Sequence, residues 1–367
     1  MDFQIRESMD LWTRLKSDSR PLILYGMGDG ADKIISALAT IGREPDDFFA
    51  SDDFVRGQRF HGKRVHRFSE ITQKYRDFVI LVAFASSLED VMNRIFELDC
   101  QYEVYVPDVP VVPDGHLFDM QYVQAHNEEF KKAFALLADE ESKRVFMDLI
   151  HFKISGKLQY LRQCFSLKSE AMCKILHSET YRRVLDLGAY NGDSIRELAG
   201  FSPQLAEVYA AEPDEKNFRK LCEYAKEEKR FEIIPLHVGA YFKRAVLAVS
   251  VGAGRGSRIG AGSKTAEMQM EPPDSMADGK IDFIKYDVEG AEKEALMGSI
   301  QTMRHSSPEL LVSAYHRNED LFALILQIHQ MMPEYRFYLR KHPSIPAWDI
   351  NLYCVFDAVP ERLMEAK

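Results

Sequence analysis

Residues 184–193 read VLDLGAYNGD. The first four are an apolar run that carries one acid, Asp186, and the residues that follow include two glycines, Gly188 and Gly192. A run of this length that leads into glycine is typical of a buried strand followed by a turn. Two further apolar runs also end in acids, at residues 207–212 (EVYAAE) and 281–289 (IDFIKYDVE). Ligands of open α/β sheets bind beyond the carboxyl ends of the strands, so this pattern indicates a pocket for a nucleotide-type ligand.

The spacing of the glycines narrows the choice of ligand. Gly188 and Gly192 enclose three residues, whereas the turns that bind dinucleotides read Gly-x-Gly-x-x-Gly. Tyr190 would crowd a pyrophosphate, and Asp186 would repel it but suits an ammonium group. Glu212, at the end of the next apolar run, suits the two hydroxyls of a ribose. We therefore predict that the site binds S-adenosylmethionine, with an alternative in which both acids only cap helices.

Composition excludes several classes of protein. A chain of 367 residues is long enough for two domains, and a net charge of −10 disfavours nucleic acid as a partner. The five cysteines are scattered without the spacing of a zinc site, which predicts reduced thiols. We find neither a signal peptide nor an apolar run of the roughly 20 residues that a membrane span requires, so we predict a cytoplasmic protein.

The chain divides into three segments by pattern. The first alternates short apolar runs with helical stretches, the second is helical, and the third returns to alternation after Arg183. We predict an α/β fold with a smaller Rossmann-like domain over 1–112, a helical linker over 113–180 and a seven-stranded Rossmann-like domain over 181–367. The seven strands are predicted at about 183–187, 207–211, 232–237, 281–286, 309–314, 335–340 and 351–357, with an extra strand at 245–251.

The third segment resembles the FkbM family of S-adenosylmethionine-dependent methyltransferases over roughly residues 180–357. The matching pieces are DLGAYNG at 186–192, AEPD at 211–214, GSRI at 256–259 and IDFIKYDVEGAE at 281–292. The last of these is the most discriminating, because a glycine turn alone is common. The resemblance implies that the predicted sheet is that of a methyltransferase.

The resemblance also implies which residues hold the cofactor and what the reaction is. The cofactor-binding residues are predicted to be Asp186, Gly188, Ala189, Tyr190, Gly192, Glu212, Pro213, Gly239, Ala240 and Asp287. The implied reaction is O-methylation of a hydroxyl on a sugar, glycan precursor or related natural product, with a small molecule or glycan as acceptor.

Three residues are candidates for catalysis. Asp287 and Glu289 follow a predicted central strand, and His316 follows the next one. A hydroxyl is a weak acid, so one of these groups would remove its proton during transfer. Alternatively, Asp287 and Glu289 would bind a divalent metal that orients the acceptor. The sequence does not choose between a general base and a metal.

The first segment has a glycine-rich turn of its own, YGMGDGA at residues 25–31, with Asp52 about twenty residues beyond it. This is close to a dinucleotide-binding turn, although Asp29 would face a phosphate unfavourably. Residues 57–65 resemble the nucleotide-sugar-binding domain of PglD-type sugar acyltransferases. In order of preference, we interpret the segment as a nucleotide-sugar or carrier-recognition module, a scaffold without ligand, or an NAD domain.

Two rival functions remain open for the whole chain. A two-domain NAD-linked nucleotide-sugar oxidoreductase or epimerase would explain the first turn but not the block at residues 287–292. A non-catalytic binding module in polysaccharide assembly would bind the cofactor without turnover. The helical segment would also serve a homodimer, and the sequence leaves this open.

Overall fold

The structure is a computed structural model that describes residues 1–112, 115–251, 257–259 and 265–356. The side chains of residues 249–265 are outside the description, as are residues 113–114 and 357–367. The glycine-rich loop at 252–256 and the matching piece at 256–259, apart from the backbone of 257–259, therefore lie outside the described residues. Among the described residues, no helix combines the length and the apolar character needed to cross a bilayer.

Residue contacts divide the chain into two compact units. The first contains Met1–Lys131, Lys143–Ser166 and Lys341–Asp349, and the second contains Lys132–Ser142, Leu167–Arg340 and Ile350–Lys367. The helical segment therefore contributes to both units. The three sequence-based domain boundaries, 1–112, 113–180 and 181–367, stay a prediction.

The first unit is built on a six-stranded sheet with the strand order β3-β4-β2-β1-β5-β6. Its strands are β1 (Leu22–Tyr25), β2 (Asp47–Ala50), β3 (Arg59–Phe60), β4 (Lys63–Arg67), β5 (Val79–Val82) and β6 (Glu103–Tyr105). The helices up to residue 164 are α1 (Leu11–Ser17), α2 (Asp29–Thr40), α3 (Phe68–Lys74), α4 (Glu89–Asp99), α5 (Met120–Ala125), α6 (Asn127–Leu136), α7 (Glu140–Ser155) and α8 (Leu158–Cys164).

The second unit contains a seven-stranded sheet. Its elements begin with α9 (Lys168–Lys174), β7 (Arg183–Leu187), α10 (Asp193–Ala199), β8 (Glu207–Ala211), α11 (Glu215–Glu227) and β9 (Glu232–Leu236). After a small sheet formed by β10 (Gly239–Ala240), β11 (Ala245–Val251), β12 (Ser257–Ile259) and β13 (Thr265–Glu271), the chain returns with β14 (Phe283–Tyr286), α12 (Glu292–Met297), α13 (Ile300–Ser306), β15 (Glu309–Ser313), α14 (Asp320–Met331), β16 (Tyr335–Lys341) and β17 (Ile350–Phe356).

The strand order in the large sheet, β16-β17-β15-β14-β7-β8-β9, determines where a ligand binds. The chain runs outward from β7 through β8 to β9 and then crosses back to β14, which pairs in parallel with β7. The order therefore reverses between β7 and β14. Such a reversal leaves a crevice at the carboxyl ends of the two strands, because their connections leave in opposite directions.

The seven-stranded sheet and the two α/β units confirm the predicted fold class. All seven predicted strands are present within about two residues of their predicted bounds, and β11 coincides with the predicted extra strand. The strands β3 and β4 were not predicted, because charged residues at 59, 63, 64 and 67 interrupt the apolar run. Strand β13 was also missed, since its pattern TAEMQME gives alternation with few bulky apolar residues.

Candidate active site

The turn after β7 touches the end of β14 directly. Gly188 has φ +82°, and a Cβ added there would lie 1.9 Å from the carbonyl oxygen of Asp287. The Gly188 and Ala189 N–H groups both donate to the carbonyl of Ala211, at 3.0 Å. The turn is thus fixed to β8 on one side and pressed against β14 on the other. Only glycine fits at position 188, for reasons of both space and backbone conformation.

The turn continues through two further left-handed positions into α10. Tyr190 has φ +50° and Gly192 has φ +83°, and Gly192 caps the helix. A Cβ on Gly192 would approach the Tyr224 ring to 2.5 Å. Gly188 and Gly192 therefore allow the turn to pack closely against neighbouring elements. The sequence pattern alone did not indicate these contacts.

Asp186 lies in β7, one residue before its end, and is only 2% exposed. Its Oδ2 accepts a hydrogen bond from the Ser194 hydroxyl at 2.5 Å, and its Oδ1 lies 3.1 Å from the Lys285 ammonium. The same ammonium donates to the Gly188 carbonyl at 3.1 Å. Lys285 therefore ties the acid to the glycine turn, and its pKa is raised because the Asp186 and Asp287 carboxylates outweigh the effect of burial.

Neither Lys285 nor Ser194 was predicted from the sequence. The signal for Lys285 was a single charged residue in the otherwise apolar strand β14, whose burial is costly unless the charge is paired. An ionised carboxylate has about four acceptor positions, so Asp186 retains acceptor capacity beyond its two partners. Its role toward the ammonium of a ligand stays a prediction.

Glu212 lies at the end of β8 and is 6% exposed. Its Oε2 accepts the N–H of Tyr190 at 2.8 Å, and its Oε1 accepts the N–H of Asp214 at 2.9 Å. Burial raises the pKa of Glu212 to about 7, although the two backbone N–H groups act in the opposite direction. The carboxylate joins the turn after β7 to the loop after β8, at the position where a ribose acceptor was predicted.

This pKa predicts a pH dependence for the binding of an adenosine ligand. The ionised carboxylate is the stronger acceptor for ribose hydroxyls, so affinity should rise by about tenfold between pH 6 and pH 8. The contribution of Glu212 to folding stability changes with pH in the opposite direction to the affinity. Because its pKa is raised in the folded protein, that contribution is complete below the ordinary value of 4.5 and is lost as the pH rises through about 7.

Calorimetry with 5′-methylthioadenosine would measure this effect, since that compound keeps the ribose but lacks the titrating amino-acid end. The Glu212→Gln variant should bind more weakly and show a flat profile over the same range. An equally steep profile in that variant would mean that another group titrates.

The three predicted catalytic residues lie together at the carboxyl ends of β14 and β15. The His316 Nε2 atom is 3.7 Å from Asp287 Oδ1 and 3.8 Å from Glu289 Oε2. Burial would raise the pKa of Asp287, but Lys285 and His316 outweigh it and leave the pKa lowered. Glu289 has φ +55°, a left-handed conformation that is uncommon for a residue with a side chain. The structure therefore brings together residues that are up to 29 positions apart in the chain.

Two further acids belong to this cluster and were missed. Glu292 is 1% exposed, and its Oε1 accepts from His316 Nδ1 at 2.9 Å and from the Val288 N–H at 3.0 Å. Asp320, also 1% exposed, begins α14 and accepts the Arg317 N–H at 2.7 Å. Burial raises the pKa of Asp320 to about 8, with a contribution from Glu292. The signal for Glu292 was its place in the block at 281–292, which we interpreted only as a family resemblance.

The surrounding carboxylates also determine the charge on His316. Burial by itself would lower the pKa of this histidine, but Glu292, followed by Glu289 and Asp287, raises it to about 10. The imidazole therefore carries a proton at neutral pH when only protein groups surround it. In that state it cannot accept a proton, so the geometry favours the carboxylates over His316 as general base.

The residues predicted on the adenine side lie next to each other. Gly239 and Ala240 form β10, which pairs with Met270 and Glu271 of β13. A Cβ added to Gly239 would lie 2.7 Å from the Met270 sulfur and 3.6 Å from the Pro213 side chain. The residues after β8 and those after β9 therefore lie close to each other, and their contact with a cofactor stays a prediction.

The turn after β1 in the first unit contains two glycines with different surroundings. A Cβ on Gly30 would lie 2.4 Å from the Ala83 carbonyl, so this glycine permits close packing of α2 against the sheet. No described atom lies within 4 Å of the corresponding position on Gly28, whose φ is +103°. Asp29 starts α2 and forms an ion pair with Lys33 at 3.1 Å.

Comparison with known protein families identifies the site in the second unit. The family model described as "Methyltransferase FkbM domain" matches residues 186–339, which include Asp186, Glu212 and the cluster around His316. Residues 186–339 form an FkbM methyltransferase domain. The chain accordingly carries an S-adenosylmethionine-dependent methyltransferase domain, and this confirms the FkbM resemblance inferred from the sequence. No protein with a curated description matches the chain.

One solved structure is similar in fold over more of the chain than the FkbM domain. The crystal structure of Methyltransferase FkbM from Methylobacillus flagellatus KT is similar over 94% of each chain, with a TM-score of 0.71 and 21% identity. Fibrillarin from Aeropyrum pernix, in complex with natively bound S-adenosylmethionine, covers 51% of this chain and 73% of its own, with 13% identity and a TM-score of 0.34. An rRNA methylase from Streptococcus thermophilus covers 49% and 90%, with 14% identity and a TM-score of 0.33.

The FkbM domain fits S-adenosylmethionine in the chemistry of its donors and acceptors. Glu212 offers a buried carboxylate at the end of β8, and Asp186 offers a second one at the end of β7. The reversal of strand order places both beside one crevice. The individual contacts of the predicted cofactor-binding residues stay predictions.

Proposed function

We propose that this chain transfers the methyl group of S-adenosylmethionine to a hydroxyl oxygen of a sugar, a glycan precursor or a related natural product. The observation that supports it most is the set of carboxylates from Asp287, Glu289 and Glu292 beside His316, at the carboxyl end of β14. A hydroxyl must lose a proton as it is methylated, and a group of acids next to the cofactor turn suits that need. Participation in polysaccharide biosynthesis and a cytoplasmic location are part of this proposal.

The residues of the chain would divide the work between binding and proton transfer. Glu212 would hold the ribose, and Asp186, itself held by Lys285, would hold the amino-acid end. When bound, S-adenosylmethionine supplies a methyl group on a positively charged sulfur, already activated for transfer. Asp287 or Glu289 would accept the hydroxyl proton as the new O–C bond forms and the S–C bond breaks. The protein otherwise aligns the hydroxyl in line with that bond.

The Asp287→Asn variant tests the catalytic part of this proposal. We expect kcat to fall by about 10²- to 10⁴-fold, because the amide neither accepts a proton nor carries charge. Binding of S-adenosylhomocysteine should stay within a few-fold of wild type. Asp278→Asn, at an exposed position ahead of β14, is the matched control and should retain full turnover.

The assay needs an acceptor, which can be found with ¹³C-methyl-labelled S-adenosylmethionine. Incubation with monosaccharides, nucleotide sugars and polyols, followed by NMR, would reveal a new O-methyl carbon. Labelling of a nitrogen or a carboxylate instead would contradict the proposal. Absence of S-adenosylhomocysteine binding at millimolar concentration would contradict it at the level of the cofactor.

The turn after β1 favours a second ligand in the first unit. The open position at Gly28 leaves the start of α2 accessible to a phosphate, and we propose a nucleotide-sugar there. Asp29 and Asp32 in the first turn of α2 oppose the diphosphate of either ligand, so the preference for a nucleotide-sugar over NAD rests on the resemblance of residues 57–65. Saturation-transfer NMR with UDP-sugars and NAD would distinguish them, and a signal from NAD alone would support the rival oxidoreductase or epimerase.

A non-catalytic binding module and a homodimer also remain to be tested. The module would bind S-adenosylhomocysteine but label none of the acceptors in the ¹³C experiment. Sedimentation of the full chain would report the oligomeric state.

A further inference from the structure

We propose that Asp287, Glu292 and His316 bind a divalent cation at the carboxyl end of β14, and that this cation holds the acceptor hydroxyl. The second half of this inference rests on the proposed O-methylation, whereas cation binding does not. Each of the three residues offers one potential ligand atom, and these atoms all lie within 4.8 Å of one another. Carboxylate oxygens with one imidazole nitrogen form a donor set suited to Mn²⁺, Mg²⁺ or Zn²⁺.

The distances around His316 fit a cation better than they fit hydrogen bonds. Its Nε2 atom lies 3.7 Å from Asp287 Oδ1 and 3.8 Å from Glu289 Oε2. Both distances exceed the range of a hydrogen bond. Two ligand atoms at about 2.1 Å from a tetrahedral cation lie roughly 3.4 Å apart. His316 Nε2 and Asp287 Oδ1, now 3.7 Å apart, would therefore have to approach each other by only a few tenths of an ångström to coordinate the same ion.

Glu292 supplies an independent reason to expect a ligand. Its Oε2 is buried, and within the described part of the chain no hydrogen bond reaches it. A buried carboxylate oxygen without a partner has lost its hydration without replacement, which lowers the free energy of unfolding. Coordination would remove that cost. Oδ1 of Asp320, whose charge interacts with Glu292, is likewise buried without a hydrogen bond from the described part of the chain.

The other oxygen of Glu292 orients the histidine. Oε1 accepts from His316 Nδ1 at 2.9 Å, which directs Nε2 toward Asp287 and Glu289. The Val288 N–H fixes the same oxygen at 3.0 Å, so the backbone after β14 helps to hold the arrangement.

A cation here would assist proton removal. An acceptor hydroxyl bound to a divalent ion has a lower pKa than in water, so its O–H bond breaks more readily. The proton passes to Glu289, whose side chain is 24% exposed, and the electron pair stays on oxygen. That oxygen then forms the bond to the methyl carbon, and the sulfur keeps the electrons of the broken S–C bond. The cation itself is unchanged.

The test uses the full chain after treatment with EDTA. Mn²⁺ is titrated in while electron paramagnetic resonance reports the free ion, and S-adenosylhomocysteine binding is measured by calorimetry on the same sample. We expect one Mn²⁺ site in the wild type, displaced by Zn²⁺ or Mg²⁺. Glu292→Gln and His316→Ala should each weaken Mn²⁺ binding by about 10- to 100-fold. Glu292→Gln keeps the volume of the side chain, so it serves if His316→Ala fails to fold.

His177→Ala is the matched control, because this histidine also contacts a carboxylate through Nδ1, namely that of Glu309, but lies ahead of β7. It should bind Mn²⁺ as the wild type does. Lack of Mn²⁺ binding at millimolar concentration, or equal binding in Glu292→Gln, would overturn the cation site even if S-adenosylhomocysteine binds. Mn²⁺ binding in a protein that binds no S-adenosylhomocysteine would support the site and overturn the proposed function instead.

Discussion

Replacing Gly188 with alanine is expected to abolish cofactor binding and to destabilise the second unit. The new Cβ would lie 1.9 Å from the Asp287 carbonyl oxygen, about half of a normal contact distance. Because that oxygen belongs to the backbone after β14, no side-chain rotation relieves the clash. The φ of +82° adds strain for any residue with a Cβ. Either the turn or the end of β14 must move.

We expect the free energy of unfolding to fall by about 3 kcal/mol or more, and the affinity for S-adenosylhomocysteine to fall by at least about 100-fold. Denaturant unfolding and calorimetry measure the two effects separately. Gly200→Ala is the matched control, since Gly200 ends α10 with right-handed φ and ψ of −70° and −23°. It should change both quantities little. Wild-type affinity in Gly188→Ala would mean that the turn does not form the cofactor site.

Removal of Lys285 is expected to have the second large effect. Its ammonium lies 3.1 Å from Asp186 Oδ1, 3.7 Å from Asp287 Oδ2 and 3.1 Å from the Gly188 carbonyl oxygen. The Lys285→Met variant would leave two carboxylates close together without their shared cation. Breaking a buried ion pair from one side costs about 3–5 kcal/mol, which we expect as the loss of unfolding free energy.

The double variant Asp186→Asn/Lys285→Met tests this explanation. It removes one of the two stranded charges, so it should recover part of the stability that Lys285→Met loses. Lys280→Met, which changes an exposed lysine shortly before β14, should leave stability unchanged. If Lys285→Met were as stable as wild type, the ammonium would contribute nothing net to the fold. A double variant less stable than either single variant would show that the two sites act independently.

The local patterns were sufficient to predict the fold class. Largely buried strands such as β7 and β14 are short and mostly apolar runs, and parallel sheets bury both faces of their strands. The strands β3 and β4, at one side of the first sheet, were missed because they are partly exposed and their sequence is mixed. A strand can be predicted from its local sequence to the extent that its side chains pack in apolar surroundings.

The residues of the candidate site also fall into two groups, those that the local sequence indicated and those that it did not. Asp287, Glu289 and His316 follow strand ends, so the order of the elements along the chain indicated them. Glu292 lies inside the helix that follows, and nothing local distinguishes it from a surface glutamate at a helix start. Its hydrogen bond to His316, 24 residues away in the chain, exists only in the folded structure.

By itself, the sequence VLDLGAYNGD determined a strand, a glycine turn and an acid suited to the amino-acid end of S-adenosylmethionine. It did so because the preference for a strand or a turn depends on residues adjacent in the chain, and the charge of a side chain follows from the residue type. The tertiary structure decided why position 188 must be glycine and what neutralises Asp186, since Asp287 and Lys285 come from a strand almost a hundred residues away. Contacts of that kind depend on strand order, which no local pattern specifies.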